Sequence, residues 1–445
     1  MLLFLAASAQ NINAQPTTSS EVISSPNEGD TNHTNYFLLQ LSRPLTTEVS
    51  VDFETKDGTA TIADNDYTET RGTAIIEPNS ISTTIAVEII GDTKSEPDET
   101  FSLILSNPQG ISFPAGVTSI TKTRTIVNDD STSTGGGNGS TDSTSNAISK
   151  PQVVDCSTLS SDIGTNAVSI LNKYNYKKCS MVAGILIANS NETLVRGQDI
   201  TAMTQSLADI LAELLDNNQD GVVDDPAVVQ NLKSGANGAW LNMQSAANET
   251  NEGPIVEELL PYVGKDMGVK NSWLVDDYGS STGYSENLYE KHMLVEEAMH
   301  MIHSYGYAKA YPTVWGDSLD GCKENSSEGC NWEQSTLTKL AFEAMTSSNN
   351  WYYHGENTTN NTGQHITGTC ATPYCAAIEF IMNVVSIYRE MRGHDSDVAS
   401  SGTEFPSTSE AMTTMLNSSV NGQAMKAVLD ELWVNGMTWT YNPGS

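Results

Sequence analysis

The sequence predicts a multidomain protein: an N-terminal antiparallel β-sandwich, a flexible tether, and a C-terminal domain that is mainly α, of α+β class. Three observations carry this. From Gln15 to Asp130, alternating runs such as Glu48-Val49-Ser50-Val51-Asp52-Phe53, Thr83 to Ile90 and Phe101 to Leu105 are separated by Gly, Asn, Asp and Pro turns. Ser131 to Ser149 is rich in Gly, Ser and Thr and almost free of apolar residues, so it cannot bury a core. From Pro151 onward helical periodicity dominates, with one expected buried strand at Met181 to Ala188. The 445 residues also exceed what one core organises.

These boundaries divide the chain into 1–14, 15–130, 131–150 and 151–445. Residues 1–14, MLLFLAASAQNINA, place a short apolar run before small residues, as a secretory signal peptide does, though without a basic leading segment. No later run reaches the 18 or so apolar residues of a membrane-spanning helix, so the expected protein is secreted or at the cell surface and not membrane-spanning. Because the tether carries no apolar contacts, the two domains are expected to fold separately.

Charge narrows the partners. Lys and Arg total 21 against 55 Asp and Glu, a net charge of −34. So acidic a chain repels nucleic acid and anionic membrane surfaces, leaving an extracellular protein, peptide or matrix polymer as the expected partner. The six cysteines, an even number, all lie from Cys156 onward. In an exported chain they read as disulfides; of the fifteen pairings that six cysteines permit, the close spacings suggest Cys322 with Cys330 and Cys370 with Cys375 as local staples, which would leave Cys156 with Cys179.

Four ordered acidic blocks punctuate the β region: Asn27-Glu28-Gly29-Asp30; Asp57-Gly58-Thr59-Ala60 with Asp64-Asn65-Asp66-Tyr67; Glu96-Pro97-Asp98-Glu99-Thr100-Phe101; and Val127-Asn128-Asp129-Asp130. Together they resemble a Calx-beta domain. That resemblance implies calcium held at one end of the sandwich, with Glu28, Asp64, Asp66, Asp98 and Asp129 as candidate ligands. Calcium takes six to eight hard oxygens, which suits clustered carboxylates, although any one of them can instead cap a turn.

In the second domain Asp199 to Leu215 reads as an amphipathic helix, with Leu207, Ile210, Leu211, Leu214 and Leu215 on one face. It runs into Asp216-Asn217-Asn218-Gln219-Asp220-Gly221-Val222-Val223-Asp224-Asp225-Pro226, which matches the first nine positions of an EF-hand loop. Asp216, Asn218, Asp220 and Asp224 supply oxygens at positions 1, 3, 5 and 9, and Gly221 gives the turn at 6. Ala227 stands where the bidentate Glu of position 12 belongs. Asp225 or a distant carboxylate must then complete the shell.

The most chemically loaded stretch is Lys291 to Gly306, KHMLVEEAMHMIHSYG. At about 100° per residue, Glu296, His300, His303 and His292 fall within an arc of roughly 80°. Glu296-Glu297-Ala298-Met299-His300 resembles the H-E-x-x-H helix of zincin metallopeptidases with Glu in place of the first His. The resemblance implies Zn2+ held by Glu296 and His300, with Glu297 as general base. A helix separates positions seven apart by about 10.5 Å of rise, so His303 either supports the ligands or replaces Glu296. Glu379, inside the apolar run Ala376 to Ile381, or Glu343 supplies a third ligand. Tyr305, Tyr307 and Tyr311 either stabilise an oxyanion or pack against the helix. Two functions compete: a secreted zinc-dependent hydrolase of zincin-like metallopeptidase type carrying a Ca2+-binding module, or a non-enzymatic calcium-dependent adhesion or extracellular matrix protein whose zincin-like domain is inactive.

Overall fold

The structure, a computed structural model, describes residues 18–22, 27–41, 45–80, 82–113, 116–130, 146–190, 199–270, 286–315, 358–359, 365–366, 381–382, 384–389, 391, 409–417, 420–433, 437 and 441–443. The expected signal peptide, most of the tether, Glu343, Glu379 and four of the six cysteines lie outside the described residues.

The described residues between 18 and 126 form two facing antiparallel sheets. Strands β1 (Thr18–Val22), β2 (His33–Leu41) and β5 (Ser82–Ile89) make one, in the order β1-β2-β5. Strands β3 (Val49–Asp57), β4 (Arg71–Ile76), β6 (Glu99–Gln109) and β7 (Ser119–Ile126) make the other, in the order β4-β3-β6-β7. Side chains at alternate positions meet between the sheets: Val51, Ile85, Val87, Phe101, Leu103 and Leu105 are buried, as the period of two dictates. Phe101 is the hub, with Tyr67 stacked on it at 4.5 Å and Phe37 edge-on at 5.9 Å.

Strand β2 breaks the alternation. Every residue from Phe37 to Leu41 is buried, which requires cover on both faces. The second cover comes from the C-terminal part of the chain, where Leu38 joins the core that also holds Met425, Val428 and Leu429 of helix Val420–Leu432. Strand β1 pairs with β2 as far as Val22↔Phe37. Beyond it, the Tyr36 N–H donates to Glu431 Oε2 at 2.6 Å, and Arg124 of β7 donates to the Tyr36 carbonyl at 3.0 Å and to Glu431 Oε1. Both charged side chains are fully buried.

The second unit is built on a five-stranded mixed sheet, ordered β12-β11-β10-β9-β8, from β8 (Val154–Asp155), β9 (Lys178–Val182), β10 (Ile185–Asn189), β11 (Ala239–Gln244) and β12 (Lys265–Lys270). The single strand expected at Met181 to Ala188 is thus a hairpin, turned at Ala183 and Gly184 with φ of 48° and 83°, and three more strands join it. Within this sheet β10, β11 and β12 are parallel. Helices α1 (Ser160–Lys173) and α2 (Ile200–Leu215) contribute to separate cores: α1 with Leu186, Trp240 and Ile255, α2 with Ile187, Leu241 and Val295. Helices therefore cover both faces of the sheet. Cys156 and Cys179 are disulfide-bonded, as expected, tying the start of the domain to β9.

The two units are docked, not merely tethered. Removing one partner of a buried ion pair strands the other charge, at a cost of about 3–5 kcal/mol, whereas replacing both with apolar groups is close to neutral. Arg124→Met should accordingly lower unfolding free energy by about that amount, and Arg124→Met/Glu431→Leu should recover most of it, as read by denaturant unfolding.

Candidate metal centres

Three acidic or histidine-bearing regions were singled out by the sequence, and the fold brings two of them together. The first is one end of the sandwich. Asn27 bridges to Val127 in parallel register, which sets Glu28 beside the segment following β7. Gly91, just after β5, packs so closely on this turn that a Cβ there would lie 2.2 Å from the Gly29 carbonyl oxygen. Only glycine permits that approach, and it brings in Asp92. Carboxylate oxygens of Glu28, Asp92 and Asp130 all lie within 4.8 Å of one another, and a second such group joins Asp66, Glu96 and Glu99.

Glu28 is 5% exposed. Burial, then the charges of Asp92, Asp129, Asp66 and Asp130, push it up to about 7. Asp129 accepts the Gly29 N–H at 3.1 Å. It is raised to about 6, first by burial and, among the neighbouring charges, most by Asp220 of the second unit. Asp130 is raised by burial and by Asp30 and Asp92. In the other group, burial and a hydrogen bond shared with Asp66 raise Glu99.

Of the five rim residues expected from sequence, Glu28 and Asp66 stand in these groups and Asp129 adjoins the first. Asp64 accepts from Thr61 Oγ1 at 2.9 Å, and Asp98 accepts from the Asn128 N–H at 3.1 Å. Asp92, Glu96, Glu99 and Asp130 were not singled out. Three of these four stand inside the quoted blocks, and Asp92 follows the glycine that makes the close approach.

The second region is the loop after α2. It folds as a ladder of side-chain-to-backbone bonds: Asp216 accepts from the N–H of Asp220 at 3.1 Å and of Gly221 at 3.0 Å, Asn218 from Asp220 at 3.0 Å, and Asp220 from Val222 at 2.8 Å. Gln219 and Gly221 take positive φ, 61° and 91°, which the turn at EF-hand position 6 demands. Asp224 accepts from the Asn217 N–H at 2.7 Å, closing the loop on itself. Asp216 is pushed up to about 6 by burial and by Asp220, against the hydrogen bond from Tyr441, while half-buried Asp224 is driven well up by desolvation and by Asp216. Asp216, Asp220 and Asp224 are not among the converged carboxylate groups of the described residues. Asp225 caps the next helix, α3 (Pro226–Leu232), by accepting from Ala227 and Val228, and also accepts from the Tyr311 hydroxyl at 2.9 Å.

The third region is helix Glu286–Met301 and its continuation. Glu296 Oε1 lies 3.8 Å from His300 Nε2, and Glu297 is buried. After Met301 the helix widens into a π turn, Ile302–Tyr307, which packs against α3 so tightly that a Cβ on Gly306 would come 2.7 Å from Val228 Cγ1. His303 is carried into the core, edge-on to Trp315 at 4.9 Å. Burial, then the proximity of His300, lowers it to about 3, so it is neutral. Its Nε2 finds no hydrogen-bond partner among the described residues. Among those residues no group of three ligand atoms converges here, and the tyrosines Tyr305 and Tyr307 are buried against the core.

Comparison with known proteins bears on the sandwich. The Calx-beta domain model matches residues 20–131. Mouse sodium/calcium exchanger 1 is 49% identical over 63 residues, which is 14% of this chain and 6% of the exchanger, and the cat protein is 44% identical over 70 residues, 16% and 7% respectively. The chain therefore spans only a small fraction of these relatives. Among solved structures, an apo-form Calx CBD1 domain is 25% identical, with 26% of this chain and 99% of that chain covered and a TM-score of 0.23. A calcium binding domain CBD12 of CALX1.1 is 28% identical over 22% of this chain and 40% of that one, with a TM-score of 0.20. Residues 20–131, which carry the four acidic blocks, thus match the Calx-beta domain model.

Proposed function

We propose that this chain is a non-enzymatic, calcium-binding extracellular protein whose sandwich rim and Asp216 loop are its metal sites, and that it serves in adhesion or matrix contact. The observation that carries the reading is Glu28: a buried carboxylate converging with those of Asp92 and Asp130 in the part of the chain that matches the Calx-beta model. Three carboxylates so placed repel one another unless a cation lies between them. The names of related proteins, a sodium/calcium exchanger and a calcium binding domain, point to the same ion. The net charge of −34 and the Cys156–Cys179 disulfide support an exported setting. Among the described residues no helix is long and apolar enough to cross a membrane.

Calorimetric titration of the metal-free protein with calcium tests this directly. Binding to the folded state alone stabilises by about 2.7 kcal/mol at a hundredfold excess over Kd, so the melting temperature should rise with calcium and fall with chelator. Glu28→Gln should weaken the rim site tenfold or more, by roughly the loss of one charged ligand.

The raised carboxylates add a pH dependence. Glu28 and Asp129 titrate higher in the folded chain than in the unfolded one, so the folded state binds more protons between the two values. Their contribution to stability is present at low pH and is lost as pH rises through about 6 to 7. Thermal melts in chelator should show that loss, and excess calcium, which holds the carboxylates ionised in the folded state, should flatten it.

A second reading, the zinc-dependent hydrolase, has one observation in its favour: the paired Glu296 and His300 with Glu297 buried beside them. In it Glu296, His300 and Glu379 hold zinc and Glu297 is the general base. His300→Ala should then strip stoichiometric zinc from the purified protein, while Glu297→Gln should retain the metal and lose hydrolysis. Absence of zinc from protein grown and purified with it would remove this reading.

A further inference from the structure

The seam between the two units has two unlike halves. One half is held without help: Leu38 lies in the core of the second unit, and Arg124 and Glu431 pair where both are shielded from water. At the other half, two acidic sets meet: Glu28, Asp92, Asp129 and Asp130 line the sandwich rim and Asp216, Asp220 and Asp224 the loop, with Asp129 close enough to feel the charge of Asp220 across the seam.

Asn27 joins these two sets. Its backbone N–H donates to the Asp224 carbonyl at 3.1 Å and its side-chain amide to the Val223 carbonyl at 2.6 Å. Glu28, one residue later, points its carboxylate at Asp92 and Asp130. Asp224, one residue beyond Val223, holds position 9 of the loop. A rim ligand and a loop ligand are therefore each one residue from a shared pair of hydrogen bonds. The end of the tether is fastened to the same loop: Ile148 N–H donates to the Gly221 carbonyl at 2.8 Å and Val223 N–H to the Asn146 carbonyl at 3.0 Å. Movement of the loop backbone at 221–224 thus reaches both the sandwich and the chain leading out of it.

We propose that the rim and the loop form a calcium-operated clasp, in which calcium at the two sites holds the sandwich docked on the second unit and its removal loosens this half of the seam. The proposal rests on the calcium reading above. The mechanism is a coupling between sites. With metal bound, the facing carboxylates no longer repel, and residues 222–224 are fixed in the position that accepts from Asn27. Without it, like charges crowd both sides of a contact held by two hydrogen bonds, while the Arg124–Glu431 half keeps the units from separating.

Hydrogen–deuterium exchange on the full chain tests the clasp, with calcium binding measured in parallel by calorimetry. Peptides covering 27–31 and 221–225 report the clasp, 420–432 reports the docked helix, and 239–244 in the central sheet serves as the internal reference. Chelation should speed exchange in the clasp peptides by about tenfold or more, and in 420–432 by less, with 239–244 unchanged. Asn27→Ala in saturating calcium should reproduce the acceleration at 221–225 while calorimetry still shows metal bound. If calcium binds but exchange across 27–31 and 221–225 is the same with and without it, the clasp is overturned and the calcium reading stands. If calorimetry detects no calcium at all, both fall. The comparison of calcium with chelator needs no variant, so a folding defect in Asn27→Ala cannot mask the answer.

Discussion

The fold of this chain turns on carboxylates that are removed from water without cations of their own. Asp216 is buried in the loop after α2, and Glu28 is buried at the sandwich rim. Leaving such groups unpaired is costly, and the surrounding chain compensates as far as neutral groups can. Backbone N–H groups of Asn217, Asp220 and Gly221 and the hydroxyl of Tyr441 point at the loop acids. The Tyr311 hydroxyl does the same for Asp225. In consequence the loop becomes the place where the second domain is assembled: α2 ends in it, α3 begins from it, the end of the tether bridges to it at Ala147↔Val222, and Asn27 of the sandwich binds its backbone.

Packing follows from that assembly. Helix α3 leaves the loop and presses Val228 and Leu232 against Gly306, so the π turn after Met301 lies where α3 puts it. The wider turn in turn directs His303 toward Trp315 and away from water. A residue that an ideal helix would stack near Glu296 and His300 is thereby spent on the aromatic core of Tyr307, Trp315 and Trp433. The same geometry shows why an arc drawn at 100° per residue holds only while the helix stays α.

Much of the sandwich was legible in the sequence because its signals are local. Period-two alternation and turn residues mark the strands, and acidic blocks mark the rim. The rim carboxylate groups were less so: Asp92 reaches Glu28 through the contact of Gly91 with Gly29, which joins positions far apart in the chain. The docking was not anticipated at all, although Tyr36-Phe37-Leu38-Leu39-Gln40-Leu41 carried a trace of it, since a strand with apolar residues on both faces needs cover on both. In the second domain, strands such as Ala239–Gln244 are short and wholly buried, so they show no alternation by which to tell them from a piece of helix. The EF-hand-like turn was readable from its oxygen spacing, but Asp225, read there as a residue to complete the shell, caps α3, a role that Pro226 at the first helical position signals.

The Arg124–Glu431 contact joins positions 307 residues apart. Ribosomes extend a chain at about 5–20 residues per second, so the sandwich waits roughly 15 to 60 s after Arg124 is made before its counter-charge exists. Throughout that interval the strip along β2 that includes Leu38 has no helix over it, and the Tyr36 N–H has no carboxylate to donate to. A strand bare on one face and open at one edge is what neighbouring nascent chains pair with. Biogenesis of this protein is therefore more exposed to polysome crowding and chaperone supply than the finished fold, with that surface covered, would suggest.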